Sequence, residues 1–286
     1  MLTMTTRFAP SPSGRLHLGH AYSALFAYEQ AMQAGGRFLL RIEDIDITRC
    51  KREFEDGIKE DLAWLGLTWE EPVLRQSDHF ARYEAFLHSL EEAGLTYPCF
   101  CTRREIQAEV DNAPRAPHGP DGALYPGICK HRPKAEADDL IAQGTPHAIR
   151  LHMDKAAKLA GPLTFTDRAL GQIAVDPESC GDVVLARKDV PTSYHMAVTI
   201  DDALQHVTLV TRGEDLLHAT HVHRVLQALF GLPEPVYHHH PLLTDETGKR
   251  FAKRDKAPTL QALRESGQSP DDVRALIQLH RPKSLV

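Results

Sequence analysis

The order of hydrophobic patterns constrains this chain more than any other feature. Residues 5–9 have the composition of a short strand and end in the breaker cluster Pro10-Ser11-Pro12-Ser13-Gly14. A helical pattern follows over 18–34 and stops at Gly35-Gly36. Residues 37–42 read as a buried strand. Residues 51–65 read as an amphipathic helix ending at Gly66, and 78–93 as another, capped by Ser77 or Asp78 and ended by Gly94. Strand and helix in alternation imply an α/β fold, with a parallel sheet and helices on both faces, since parallel neighbours need a crossover between them. Residues 97–192 break the rhythm. They are rich in proline and hold the closely spaced thiols, with a helical pattern at 134–143 and short strand-like runs at 147–151, 163–166 and 183–186. We read this stretch as an insertion. Alternation resumes with a strand at 206–211, a helix at 216–230 and a strand at 236–239, and two short helical patterns follow Lys256. The expected division is 1–96 and 193–258 as two halves of one domain, 97–192 inserted between them, and 259–286 as a helical tail.

Composition limits what such a fold can serve. No apolar run approaches the roughly 20 residues that span a bilayer. No basic start precedes an apolar core, so the expected compartment is the cytoplasm. Five cysteines, an odd count, are then expected as thiols or metal ligands rather than a disulfide framework. The 33 basic residues face 39 acidic ones, a net charge of −6. That excludes binding to nucleic acid by general basicity, so any RNA contact must use local groups such as Arg103, Arg104, Lys130 and Arg132. The run His238-His239-His240 reads as a strand with some imidazoles toward solvent, in preference to a metal site. A monomer is expected.

The junction between the first strand and helix can serve an anion. Backbone N–H groups and the positive helix end meet there. Gly19 allows close approach, and His17 and His20, three apart, share one helix face from which they could donate to phosphate oxygens. A second basic segment, 248–257, packs five Lys and Arg into the eight positions 249–256, enough to wrap a triphosphate. Cys99 and Cys101 alternate on one side of an extended strand, and Cys129 follows a Pro/Gly-rich loop. Three thiolates suit Zn2+, which takes four ligands. Spacing leaves His118, Tyr125 and His131 open as the fourth.

These segments together carry a specific resemblance. His17-Leu-Gly19-His20 resembles the first motif of class I aminoacyl-tRNA synthetases. The preceding Arg7-Phe-Ala-Pro-Ser-Pro-Ser-Gly narrows it to the glutamyl branch, as do Arg41-Ile-Glu43-Asp44-Ile-Asp46 and Thr211-Arg212-Gly-Glu-Asp-Leu following Tyr194. The basic loop resembles the second motif, Lys-Met-Ser-Lys-Ser, with Arg250 in place of the first lysine, Ala252 in place of the serine, and Lys253 on the second lysine. The likeness runs from Arg7 to Pro258. It implies a Rossmann-like catalytic domain with a zinc-containing insertion. It implies L-glutamate contacts at Arg7, Ala9, Ser11, Glu43, Tyr194 and Arg212. It places ATP on His17, His20 and Lys253 with Mg2+ as a reaction component, and catalysis on His17, Gly19, His20 and Lys253. It also points to one structural zinc on Cys99, Cys101, Tyr125 and Cys129. Glutamate fits these residue types, because the planar fork of arginine binds carboxylates and Glu43 can pair with an ammonium.

About thirty residues follow the basic loop, where full-length glutamyl enzymes continue into an anticodon-reading domain, and a domain needs roughly 50. With no anticodon-binding domain expected, the likeness is to the stand-alone paralogue family that glutamylates queuosine in the anticodon loop of tRNA(Asp). His195, where full-length enzymes usually carry asparagine, agrees. Charging of the terminal ribose, and a zinc-stapled RNA-binding relative without chemistry, are the alternatives.

Overall fold

The computed structural model describes residues 3–112, 118–119, 122–244 and 258–281. The first half alternates as expected. Strand β1 (Thr5–Phe8) leads into α1 (Leu18–Gln33), β2 (Arg37–Ile42), α2 (Arg52–Trp64), β3 (Glu70–Arg75) and α3 (Phe80–Glu92). Strands β1, β2 and β3 pair in parallel. Helix α1 forms because Leu18, Ala21, Tyr22 and Leu25 recur on one buried face. Gly36 ends the turn after it where a β-carbon would strike the Met4 carbonyl. Along β2, Phe38, Leu40 and Ile42 enter one apolar cluster with α1 and α2. Leu39 enters another with Phe165, Val210 and Tyr237. That two-residue alternation buries both faces of the sheet, as a parallel sheet requires.

Strand β3 is absent from the sequence reading. It is an edge strand whose acidic start and Pro72 hide it, and proline is tolerated at an edge. The helix expected from residue 78 begins later. A 3-10 turn, Gln76–His79, precedes α3, and neither Ser77 nor Asp78 caps it. Ser77 instead donates from its backbone and hydroxyl to Asp44, at 2.9 and 2.7 Å.

Residues 96–186 contribute β4 (Thr96–Cys99), α4 (Arg103–Asn112), the short ribbon of β5 (His118–Gly119) and β6 (Gly122–Ala123), α5 (Lys134–Ala142), β7 (Ala148–Leu151), α6 (Met153–Ala160), β8 (Thr164–Asp167), β9 (Gly171–Ala174) and β10 (Val184–Ala186). Strands β10, β7 and β4 form an antiparallel sheet. The β8–β9 hairpin leaves it and joins the other half of the molecule. That half comprises α7 (Tyr194–Leu204), β11 (Leu209–Gly213), α8 (Ala219–Phe230) and β12 (Val236–His240), followed by α9 (Leu260–Glu265) and α10 (Pro270–His280). Its sheet order is β11-β12-β8-β9. Helix α7 and the small helices α4 and α6 were not anticipated. The strand expected from residue 206 starts at Leu209, because His206 turns the chain at φ +53°.

The two sheets meet along their parallel parts, at β1 and β11. The Thr208 amide donates to the Thr5 carbonyl at 3.0 Å, and the Thr5 amide donates to the Thr208 hydroxyl at 2.9 Å. The spatial order therefore runs β3-β2-β1-β11-β12-β8-β9. The connections after β1 and β11 leave in opposite directions across this seam, so a crevice opens at the carboxyl ends of those two strands. Ligands of open α/β sheets bind at such a switch point.

Candidate active site

A cavity of about 510 Å3 occupies this crevice. Every anticipated glutamate or phosphate contact among the described residues lines it: Arg7, Ala9, Ser11, His17, Gly19, His20, Glu43, Tyr194 and Arg212. Lys253, with Arg250 and Ala252 of the basic loop, lies outside the described residues.

The wall at the start of α1 is built by two imidazoles. His17 caps the helix, its Nδ1 accepting from the Gly19 amide at 3.2 Å, while His20 Nδ1 accepts from the His17 amide at 3.2 Å. Both Nδ1 atoms are acceptors, so each neutral ring carries its proton on Nε2. The ring centroids lie 3.8 Å apart, with the planes tilted by 33°. A β-carbon on Gly19 would sit 3.2 Å from the His17 ring, so the glycine makes room for the cap as well as for a ligand.

The floor is a buried charge cluster that the sequence reading only half anticipated. Arg7 donates from Nε and Nη2 to both oxygens of Asp202, at 2.9 and 3.2 Å, and from Nη1 to the Thr211 carbonyl at 3.1 Å. Arg41, fully buried, donates to Asp202 at 2.7 Å and to Glu43 at 3.1 Å. Burial pushes the Asp202 carboxyl up, but Arg7 and Arg41 outweigh it and hold the group below its ordinary range. Burial raises Glu43 despite both guanidinium groups. Two cations and two carboxylates make this quartet formally neutral. Arg41 and Asp202 were missed as site residues. The available signal was Asp201-Asp202 inside an otherwise apolar run that now forms α7.

Arg212 is held differently. Its Nε donates to His239 Nε2 at 3.1 Å, its Nη2 to the Thr220 hydroxyl at 2.6 Å, and its Nη1 to His223 Nδ1 at 3.2 Å and the Tyr194 hydroxyl at 3.4 Å. His239 is fixed in turn by Asp167, which accepts from its Nδ1 at 2.7 Å. Burial first, then the Arg212 charge, push His239 down to about 4. His223 is also pushed well below its ordinary value, again first by burial. Every partner of Arg212 is therefore uncharged, and no carboxylate among the described residues lies within ion-pair distance of it. The histidine run thus departs from its reading as a partly solvent-facing strand. His239 and His240 are buried and His238 half-buried. Strand alternation places His239 toward Arg212 and His240 against Tyr22, with ring centroids 4.6 Å apart.

A second cavity, of about 850 Å3, shares Tyr194 with the first. It reaches from α7 and α8 to Cys101 and Tyr125. There the thiols of Cys99, Cys101 and Cys129 all lie within 4.8 Å of one another. Tyr125 Oη sits among them, 3.4 Å from Cys99 Sγ and 3.6 Å from Cys101 Sγ, and Cys101 and Cys129 are 3.5 Å apart. Zinc–sulfur bonds of about 2.3 Å at tetrahedral angles require sulfur atoms roughly 3.8 Å apart, with slightly shorter edges to an oxygen. The three separations of 3.4–3.6 Å are close to that figure, and the thiols all lie within 4.8 Å of one another. His131 is exposed and makes no contact with the cluster that would support it as a ligand. The side chain of His118 lies outside the described residues. Cys50 is half-buried beside Ser11, and Cys180 is buried away from the cluster.

Among the described residues, no helix is long and apolar enough to cross a membrane. The profile of the family described as "tRNA synthetases class I (E and Q), catalytic domain" matches residues 3–280. A protein of Rhodobacter capsulatus named glutamyl-Q tRNA(Asp) synthetase is 50% identical over 96% of this chain and 100% of its own length. The glutamate–tRNA ligase of Aquifex aeolicus is 38% identical over 95% of this chain but 56% of its own. A crystal structure of a glutamate tRNA ligase from Elizabethkingia meningosepticum, in complex with its amino acid, superposes with a TM-score of 0.79 at 28% identity. It matches 96% of this chain, which spans 60% of that one. The crevice at the β1–β11 seam, its two imidazoles and its arginines thus lie in a chain that belongs to the class I tRNA synthetases of the glutamyl and glutaminyl type, a family of ligases.

Proposed function

We propose that the protein activates L-glutamate with ATP and transfers it to queuosine in the anticodon loop of tRNA(Asp). The observation that carries the amino-acid part is the contrast between the arginines. The Arg7–Arg41–Asp202–Glu43 quartet is neutral, whereas Arg212 presents a positive charge with only neutral partners. An anionic amino acid completes it, and an uncharged amide does not. Arg212 takes a substrate carboxylate, with Tyr194 and Ser11 donating beside it. Glu43 takes the ammonium, and the donors that Arg7 does not give to Asp202 or Thr211 reach the second carboxylate. Ala9 leaves space in the strand–helix loop for the ligand backbone.

In the first step an α-carboxylate oxygen attacks the α-phosphorus of ATP. The bond to the bridging oxygen breaks and pyrophosphate leaves; Mg2+ brought in with ATP would offset its charge. The Nε2–H donors of His17 and His20, with Lys253, stabilise the developing phosphate charge. In the second step an acceptor hydroxyl oxygen attacks the adenylate carbonyl. The bond from the carbonyl carbon to the phosphate oxygen breaks, AMP leaves, and the hydroxyl proton passes to water. We assign the acceptor side to the insertion, 97–192, set between the catalytic halves 1–96 and 193–258. Cys99, Cys101, Cys129 and Tyr125 would hold one zinc. With all four positions taken by protein it would staple the insertion rather than bind substrate.

The choice of queuosine is supported by the full-length match to a relative of that name. The test is transfer of radiolabelled glutamate to tRNA(Asp) with and without queuosine. Label on the modified tRNA alone is expected. Equal label on both places glutamate on the terminal ribose and overturns the queuosine reading.

A further inference from the structure

The hydrogen bonds of Arg212 continue past the glutamate cavity. His223, buried on α8, accepts from Arg212 Nη1 through Nδ1 at 3.2 Å, and its Nε2 lies 3.2 Å from His195 Nδ1. An arginine can only donate, so the direction of every bond in this chain is fixed. His223 Nδ1 must accept, which puts its proton on Nε2. His223 Nε2 therefore donates, and His195 Nδ1 accepts. A neutral His195 then carries its own proton on Nε2. Burial holds the His195 ring down to about 4, so the neutral form prevails at working pH.

His195 lines the second cavity, the one that shares Tyr194 with the glutamate cavity. Its Nε2–H makes no hydrogen bond to any other described residue. We propose that His195 is a positioning donor for the acceptor nucleoside: its Nε2–H, set by Arg212 through His223, bonds an acceptor oxygen in the second cavity next to the activated glutamate. This rests on the transfer reaction proposed above. The fixed tautomer gives the residue a definite role. Nε2 is already protonated, so it cannot take the proton of the attacking hydroxyl. It can only hold an oxygen of a hydroxylated nucleoside in register. The same chain links the two cavities, since a carboxylate that binds Arg212 draws on the guanidinium whose Nη1 fixes His223.

Two measurements test this. Nitrogen-15 spectroscopy of the histidine-labelled protein should show His195 as the Nε2–H tautomer, with its resonances shifting when glutamate is added. The Nδ1–H tautomer overturns the proposal. In the second, His195→Phe keeps a ring and removes the donor, while His195→Gln places an amide donor near the same point. Transfer to queuosine-containing tRNA(Asp) and glutamate-dependent ATP–pyrophosphate exchange are measured in parallel. In the phenylalanine variant, transfer should fall by about tenfold or more relative to exchange, seen in KM for the tRNA, and the glutamine variant should recover most of it. Transfer and exchange falling by one factor means that the ring only supports Arg212, and overturns the proposal. Transfer at the wild-type rate overturns it too. If the wild type labels modified and unmodified tRNA equally, the queuosine reading fails, and the same ratio, measured on either tRNA, still decides the role of His195. If the wild type labels no tRNA, both fail.

Discussion

Replacing Asp202 by asparagine should test how the cavity floor is held. The carboxylate accepts from Arg7 at 2.9 and 3.2 Å and from Arg41 at 2.7 Å. Arg41 is 0% exposed and its remaining acceptors are Glu43 and Gln205. Asparagine keeps the shape, loses the charge and turns an N–H pair toward two guanidinium groups. Removing one partner of a buried ion pair costs about 3–5 kcal/mol, because a charge is left uncompensated. At roughly 2–4 °C per kcal/mol in a domain of this size, Asp202→Asn should lower the melting temperature by about 6–20 °C. The pH dependence has a defined sign. The folded pKa of Asp202 lies below its unfolded value, so the contribution is complete above about 3.9 and is lost as pH falls through the folded value. The gap between wild type and variant should thus persist at pH 5 and close only in stronger acid. Denaturant unfolding at pH 7 gives the free energy directly. A loss under about 1 kcal/mol, the scale of an exposed pair, would refute the claim that Asp202 neutralises the floor.

Three further perturbations follow from the same geometry. Arg212→Lys removes the planar fork and should raise KM for glutamate by about tenfold or more in ATP–pyrophosphate exchange; an unchanged KM would remove Arg212 from the substrate site. His239 has a folded value of about 4 against an unfolded value near 6.5, so the unfolded chain binds the proton first. Stability should fall by about 3 kcal/mol between pH 6.5 and 4, a slope that His239→Gln should flatten in acid-titrated melts. Protein purified without chelator should carry about one zinc per chain by elemental analysis, and Cys101→Ser should lose it and melt the insertion earlier; a metal-free wild type of undiminished stability would count against the staple.

Much of this was legible in the residues. The β1–α1–β2–α2 run shows itself because buried parallel strands and amphipathic helices have different periods. The short motifs around His17, Glu43 and Arg212 lie at strand ends, where an α/β sheet places its ligands. What was hidden is hidden for physical reasons. The edge strand β3 has too little burial to impose a pattern. His239 and Asp167 lie 72 residues apart, and Arg7 and Asp202 lie 195 apart. A buried polar partner at that distance leaves no local period. The triple histidine misleads because imidazole satisfies a surface or a core equally well, and only the pairing of β12 with β11 and β8 decides which. The Cys99–Cys101 spacing was readable, whereas the place of Tyr125 among the thiols needed the loop to fold back.

The seam between β1 and β11 has a kinetic meaning. Its hydrogen bonds join residues 203 apart in sequence. Closing a flexible loop of that length costs about 5 kcal/mol of chain entropy before any contact across it forms. Contacts so distant in sequence form late. The sheet of β1, β2 and β3 can therefore assemble while half of the pocket is still unmade, and glutamate can first be recognised only when the final long-range closure is complete. Amide exchange at Thr5 and Thr208 would report that closure, and should slow when the amino acid is bound across it.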